Sequence, residues 1–290
     1  MAGELLPVVL SLTAAFFFAA GIQALNQGLR YADSRVGTLI DIATATVFFW
    51  LLSPLYLKTE YWLSSAALIF AAVGLFRPAI SANLALAGVR RLGPTLASTL
   101  GATTPLFGAL FGVALLGEQL TAPLIIGTLA VVAGTMLETR PGKEDRDWPL
   151  WALALPLGAS CLRSGAHVLI RIGLAFAPSP LFAGLVAYSV SLVVAFLAET
   201  RRSDSRRVQW RSPGLLWYVL AGVMHATAVW TMNAALQRAP VSVVLPLISS
   251  SPVFTLLISA LVLRREVIDR RKIAMVVLVV AGVAYIAATR

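Results

Sequence analysis

Two arginines interrupt long apolar stretches of the chain instead of lying between them, and they hold most of its chemical potential. Arg77 stands sixteen residues after Tyr61 and sixteen before Gly93, at the midpoint of one stretch, and Arg163 lies inside another. A guanidinium presents its N–H donors as a rigid fork and grips a carboxylate through two parallel, charge-assisted hydrogen bonds. Pro78 follows Arg77 and frees a backbone carbonyl about one turn earlier. On a continuous helix Gly74, Arg77, Ser81 and Gly88 share one narrow polar face, suited to lining a cavity. The alternative is an arginine that satisfies neighbouring carbonyls and holds helices together. His225 occupies the centre of a third stretch, twelve residues after Pro213 and thirteen before Arg238, with Tyr218 and Gly222 on its face. A neutral histidine there lines a cavity or serves as an interhelical hydrogen-bonding group.

Two polar stripes accompany these residues. Gln23, Asn26, Gln27 and Arg30 recur at helical spacing, as do Ser160, Arg163, Ser164, His167 and Arg171. At an offset of 141, Gln23 corresponds to Ser164, Asn26 to His167 and Arg30 to Arg171. The stripes predict two polar vestibules, or else a seam between helices. Thr95, Ser98, Thr99, Thr103 and Thr104 precede Pro105, and Ser242, Ser249, Ser250 and Ser251 precede Pro252, with Pro246 between. Proline frees carbonyls that such hydroxyls or cavity water can satisfy, which fits helices that bend at a site. Trp230 and Tyr188 lie deep enough to reach a cavity. Trp50, Trp62, Trp148, Trp151, Trp210, Trp217 and Tyr61 fall near segment ends, as interfacial anchors do. Asp41 is expected to pair with Arg35 or Arg90.

Positioning these groups requires helices in lipid. The chain of 290 residues is 59% hydrophobic and 12% charged, with mean hydropathy +0.85, whereas soluble domains carry about a quarter charged residues. A span needs roughly 20 apolar residues to cross about 30 Å of hydrocarbon. Ten segments qualify: 5–29, 36–57, 61–89, 94–116, 120–139, 149–170, 180–199, 213–237, 241–263 and 268–288. Their length implies helices and not barrel strands. No basic residue precedes the first span, so it does not read as a cleavable signal peptide. The net charge of +10 would suggest nucleic acid in a soluble protein. Here seventeen Lys and Arg fall in the connections after spans 1, 3, 5, 7 and 9, and four on the other face. The positive-inside rule places both termini outside the cytoplasm and makes nucleic acid no partner.

The chain also repeats itself. Pro105 matches Pro252 at an offset of 147, and Glu118 matches Glu266 and Gly134 matches Gly282 at 148; upstream, Asn83 and Asn233 recur at an offset of 150. The division is 1–139, a polar cytoplasmic linker at 140–148, and 149–290. Five spans per half is an odd number, so the second half enters the membrane inverted, an arrangement known in secondary transporters.

The sequence resembles the EamA-type drug/metabolite transporters over nearly its whole length. The resemblance rests on Leu115-Leu116-Gly117-Glu118, Gly127 and Ala133-Gly134; in the second copy Arg265-Glu266 replaces Gly-Glu and Met275 stands at the place of Gly127. It implies an all-α membrane protein of ten transmembrane helices in two inverted five-helix repeats, with spans 1–4 and 6–9 around a central cavity. It also implies an exporter of small metabolites, most similar to the amino-acid and aromatic amino-acid exporters. Related small multidrug pumps use a central Glu in the first span, and no acidic residue lies deep in any span here. Cationic drugs are therefore a poor match, and carboxylate-bearing substrates a better one.

The expected cavity residues are Arg77, His225, Arg163, His167, Gln23, Asn26, Ser81, Thr103, Ser250 and Trp230. No cofactor or metal is expected: His167, His225 and the single Cys161 form no catalytic or ligating set. A receptor would usually carry a sizeable soluble part. The expectation is a monomeric exporter in a bacterial inner membrane, whose partners are a small-molecule substrate and the bilayer. Alternatives are a carrier of another anionic metabolite, such as a sugar phosphate or nucleobase-like compound, or a non-transporting receptor.

Overall fold

The computed structural model describes residues 2–31, 34–137, 148–200, 212–263 and 269–289. Among them every regular element is helical. The first half contains α1 (Ala2–Gly28), α2 (Ser34–Tyr56), α3 (Ser65–Leu75), α4 (Ser81–Gly101), α5 (Thr104–Leu116) and α6 (Ala122–Leu137). The second contains α7 (Ala154–Phe176), α8 (Pro180–Thr200), α9 (Gly214–Arg238), α10 (Val241–Ile248), α11 (Ser251–Leu257) and α12 (Arg270–Ala288). Among the described residues eight stretches are long and apolar enough to cross a membrane, and two shorter apolar helices are Ser65–Leu75 and Ala122–Leu137.

Most departures from continuous helix have a local cause. The third expected span is interrupted at Arg77, whose backbone is extended (φ −122°, ψ 135°) within the π-type turn Phe76–Ile80. A residue before proline is driven out of the α region by the pyrrolidine ring. The single face expected for Gly74, Arg77, Ser81 and Gly88 therefore does not exist. Gly74 meets the Ala187 backbone and Gly88 meets Pro156, while Arg77 turns elsewhere. At Gly93 (φ 81°, ψ 163°) the chain leaves the third span and enters the fourth, although α4 runs through the bend. The fourth span pauses between α4 and α5 just before Pro105, and the ninth between α10 and α11 just before Pro252. The hydroxyls there bond their own chain: Thr103 donates to Leu100 O at 2.6 Å, Thr104 to Gly101 O at 2.8 Å and Ser250 to Leu247 O at 2.6 Å.

The halves pack into each other. α9 lies on α1 and α2, as α7 and α8 lie on α3; α1 also meets α10 and α11, as α7 meets α4 and α5; α6 pairs with α12. Exchanging the halves leaves this pattern of neighbours unchanged. In lipid such contacts rest on close packing and hydrogen bonds more than on expulsion of water. At the α6–α12 crossing, a methyl on Gly127 would stand 2.9 Å from Gly282 O, and one on Gly282 2.7 Å from Gly127 O. Only two glycines let these backbones meet. Met275, at the repeat position of Gly127, is buried among Val253, Leu256 and Val279.

The Gly-Glu of the first signature joins the halves. Gly117 ends α5 in the left-handed region (φ 66°), which turns the chain so that Glu118 faces α10. The carboxylate accepts from the amides of Val241 at 2.6 Å and Ser242 at 2.9 Å. These are donors that a helix start leaves without intrahelical partners. Gly112 makes room, since a methyl there would lie 2.4 Å from Glu118 Oε2. The second signature copy, Arg265-Glu266, and the linker at 140–147 lie outside the described residues, as does Trp210.

Candidate functional site

Arg77 is held at both ends. Its backbone carbonyl, freed by the break, accepts from Ser191 Oγ on α8, which also donates to Gly74 O at 2.9 Å. Its guanidinium Nη1 donates to His167 Nε2 on α7 at 2.8 Å. A guanidinium has no acceptor atom, so Nε2 accepts and the imidazole proton sits on Nδ1. That Nδ1 is buried and faces the Arg163 backbone one turn earlier without completing a hydrogen bond.

Arg163 adds a second positive charge, within electrostatic reach of both Arg77 and His167. Its Nη2 donates to Ser160 Oγ at 3.3 Å, and its Nε is buried with no partner. Among the described residues no carboxylate forms an ion pair with either guanidinium. Two buried cations without a counter-ion are unfavourable in a low dielectric, and an anion placed between them relieves this.

Arg77 forms part of the wall of a cavity of about 50 Å³. Val73, Ile170, Ala183, Ala187, Val229 and Met232 give the wall its apolar surface, and Tyr188, Ser191 and Asn233 its other polar groups. Residues of α3, α7, α8 and α9 thus converge on one space. From the sequence Tyr188 is deep enough to reach a cavity and Asn233 is a repeat marker, while Ser191 is not singled out. The available signal was a polar residue deep in an apolar span, which is expensive unless it has a function or a partner.

The remaining expected residues are placed elsewhere. His225 Nδ1 bonds Asp41 Oδ1 at 2.8 Å, joining α9 to α2, with each side chain 14% exposed. Asp41 therefore pairs with His225, a partner on the opposite half that the sequence did not suggest, and the side chain of Arg35, one of the two arginines expected for it, lies outside the described ones. Tyr218 on the same helix is fully buried against α1 and α2, and Gly222 lies on the Asp41 backbone. Gln23 Nε2 donates to Thr255 O at 3.1 Å. Ser160 donates to Gly101 O at 3.2 Å, Ser164 to Thr104 O at 2.7 Å, and Arg171 to Leu236 O. Gln23 and its repeat counterpart Ser164 each bond a carbonyl of the opposite half, so each stripe contributes to a seam, while Arg163 and His167 of the second stripe belong to the site around Arg77. Asn26 is exposed and Ser81 buried. Trp230 contacts Phe48 at 6.4 Å and Tyr56 at 5.8 Å.

Comparison with known proteins agrees with this architecture. The model of the EamA-like transporter family matches residues 5–140 and again 150–288. A crystal structure of a protein 16% identical to the chain superposes with a TM-score of 0.78, over 96% of this chain and 95% of its own. At that identity the likeness concerns the fold alone. No curated protein matches the chain.

Proposed function

Because the chain belongs to the EamA-like transporter family, a family of multi-pass membrane transporters, we propose that its cargo is a small carboxylate-bearing metabolite, amino acids first, moved by export. The observation that carries this reading is Arg77. It stands in a cavity wall deep in a membrane span, bonded to a neutral imidazole, beside a second guanidinium, with no described carboxylate in an ion pair with either. A carboxylate would complete the charge that the protein leaves open.

The proposed architecture has ten crossings in two inverted repeats, 1–139 and 149–290. It is supported by the doubled family match and by the main helix pairings between the halves, which are kept when the halves are exchanged. Inverted halves that trade shapes open a central site to each side in turn. In this proposal the protein works as a monomer in a bacterial inner membrane.

A second reading has a specific observation behind it. Arg163 beside Arg77 adds a further charge, which suits a doubly charged anion such as a sugar phosphate.

Transport into proteoliposomes tests both. Amino acids are expected to move, their methyl esters to compete poorly, Arg77→Lys to retain weak transport and Arg77→Gln almost none. Well-folded Arg77→Gln protein with normal flux would sink the carboxylate reading. Competition by sugar phosphates but not by amino acids would favour the second one.

A further inference from the structure

We propose that Asn233 sets the specificity of this cavity, by accepting an N–H from the amino group of a solute whose carboxylate Arg77 holds. The inference rests on the reading of Arg77 given above and adds the other half of the ligand. Asn233 lies on α9, is fully buried and contributes to the same wall as Arg77. Its Nδ2 donates to Pro180 O, at the start of α8, at 3.2 Å. That bond fixes which way the amide is turned, because a carbonyl can accept only from the nitrogen. The Oδ1 is then the free end, and it is buried with no hydrogen-bond partner.

A buried amide oxygen without a donor is an unfavourable feature that folded proteins seldom keep. It is also a good device for discrimination. A site built to bond an N–H rejects an analogue that lacks the group far more strongly than an apolar wall rejects a change of size. Among the polar groups of the wall Asn233 Oδ1 stands out as the acceptor left unused. Arg77 has donors only, and although the Ser191 and Tyr188 hydroxyls can accept, the Asn233 oxygen is the acceptor of this wall that is buried without any hydrogen-bond partner. The wall therefore offers an acid-binding donor and an unpaired acceptor across largely apolar surface. A free α-amino acid has the matching pair of groups.

The experiment compares an amino acid with its deamino analogue, which has the same side chain and carboxylate but no amine. Phenylalanine and 3-phenylpropanoate are the probes, competing at neutral pH for uptake of labelled phenylalanine into proteoliposomes. Wild-type protein is expected to prefer phenylalanine at least tenfold. Asn233→Leu is expected to raise the KM for phenylalanine about tenfold and to bring the two probes level. Asn233→Asp, which keeps an acceptor, is expected to keep the preference. Equal competition by the two probes in wild-type protein would overturn the proposal whether or not either variant folds. So would a preference that survives in Asn233→Leu, or one that is lost in Asn233→Asp. Phenylalanine methyl ester separates this from the underlying reading. If the ester competes as well as phenylalanine, the Arg77 carboxylate reading fails. If the ester competes poorly but the deamino acid competes well, that reading stands and the role of Asn233 fails.

Discussion

Glu118 and Val241 stand 123 residues apart, yet the carboxylate of the first accepts from the amide of the second at 2.6 Å. With the Ser242 amide at 2.9 Å, this single side chain closes the start of a helix that belongs to the other half. Glu118→Ala would strand two backbone donors, a loss of about 2–4 kcal/mol. Thermal unfolding in detergent is expected several degrees lower, with Glu118→Gln intermediate because its amide still accepts one bond. Gly112→Ala should resemble Glu118→Ala, since the added methyl displaces the carboxylate. An unchanged melting temperature for all three would remove the cap from the account of the fold.

Asp41 and His225 supply a second tie between the halves, inside the helical bundle. Asp41→Asn and His225→Phe should each destabilise the protein, and the double variant should lose less than the sum. The expected coupling is about 1–3 kcal/mol, in the range for a hydrogen bond to a charged group. A thermal double-variant cycle measures it. Strict additivity would show that the 2.8 Å contact contributes nothing measurable.

The proposed orientation in the membrane rests on the seventeen basic residues in the connections after spans 1, 3, 5, 7 and 9. An alkaline phosphatase fusion after Arg290 should be active, and one inserted within 141–147 inactive, with a cytoplasmic fluorescent reporter giving the reverse. The opposite pattern at both positions would turn the protein over in the membrane and exchange the inner and outer sides of every contact described above.

Much of this molecule was legible as sequence, and the illegible parts have physical reasons. Hydropathy reveals a helix because lipid leaves the backbone no other partner, and the doubled Pro-Glu-Gly pattern revealed the repeat. Arg77 drew notice because a deep charge in a span is rare. Its chemistry was readable, but its geometry was not: treating residues 61–89 as continuous helix missed what Pro78 does to the residue before it. Asp41 was assigned to loop arginines because the sequence offers only proximity along the chain and sidedness. Its partner, 184 residues away, depends on α9 settling against α2. The stripes of spans 1 and 6 were visible as stripes, but a polar row looks the same whether it meets water or a carbonyl. Glu118 was legible as a motif, while its duty required knowing which helix begins opposite it.

The two grips on Arg77 have one more implication. Its side chain is tied to α7 through His167, and its carbonyl to α8 through Ser191. One residue therefore works as a caliper, with a jaw on each of two neighbouring helices. α7 and α8 cannot change their spacing at this level while both jaws stay closed. Under the proposed function, an anion that drew the guanidinium from His167 would open one jaw and leave the other shut, and occupancy would then free α7 relative to α8. In that case a gauge of helix separation and a sensor of charge would be the same few atoms.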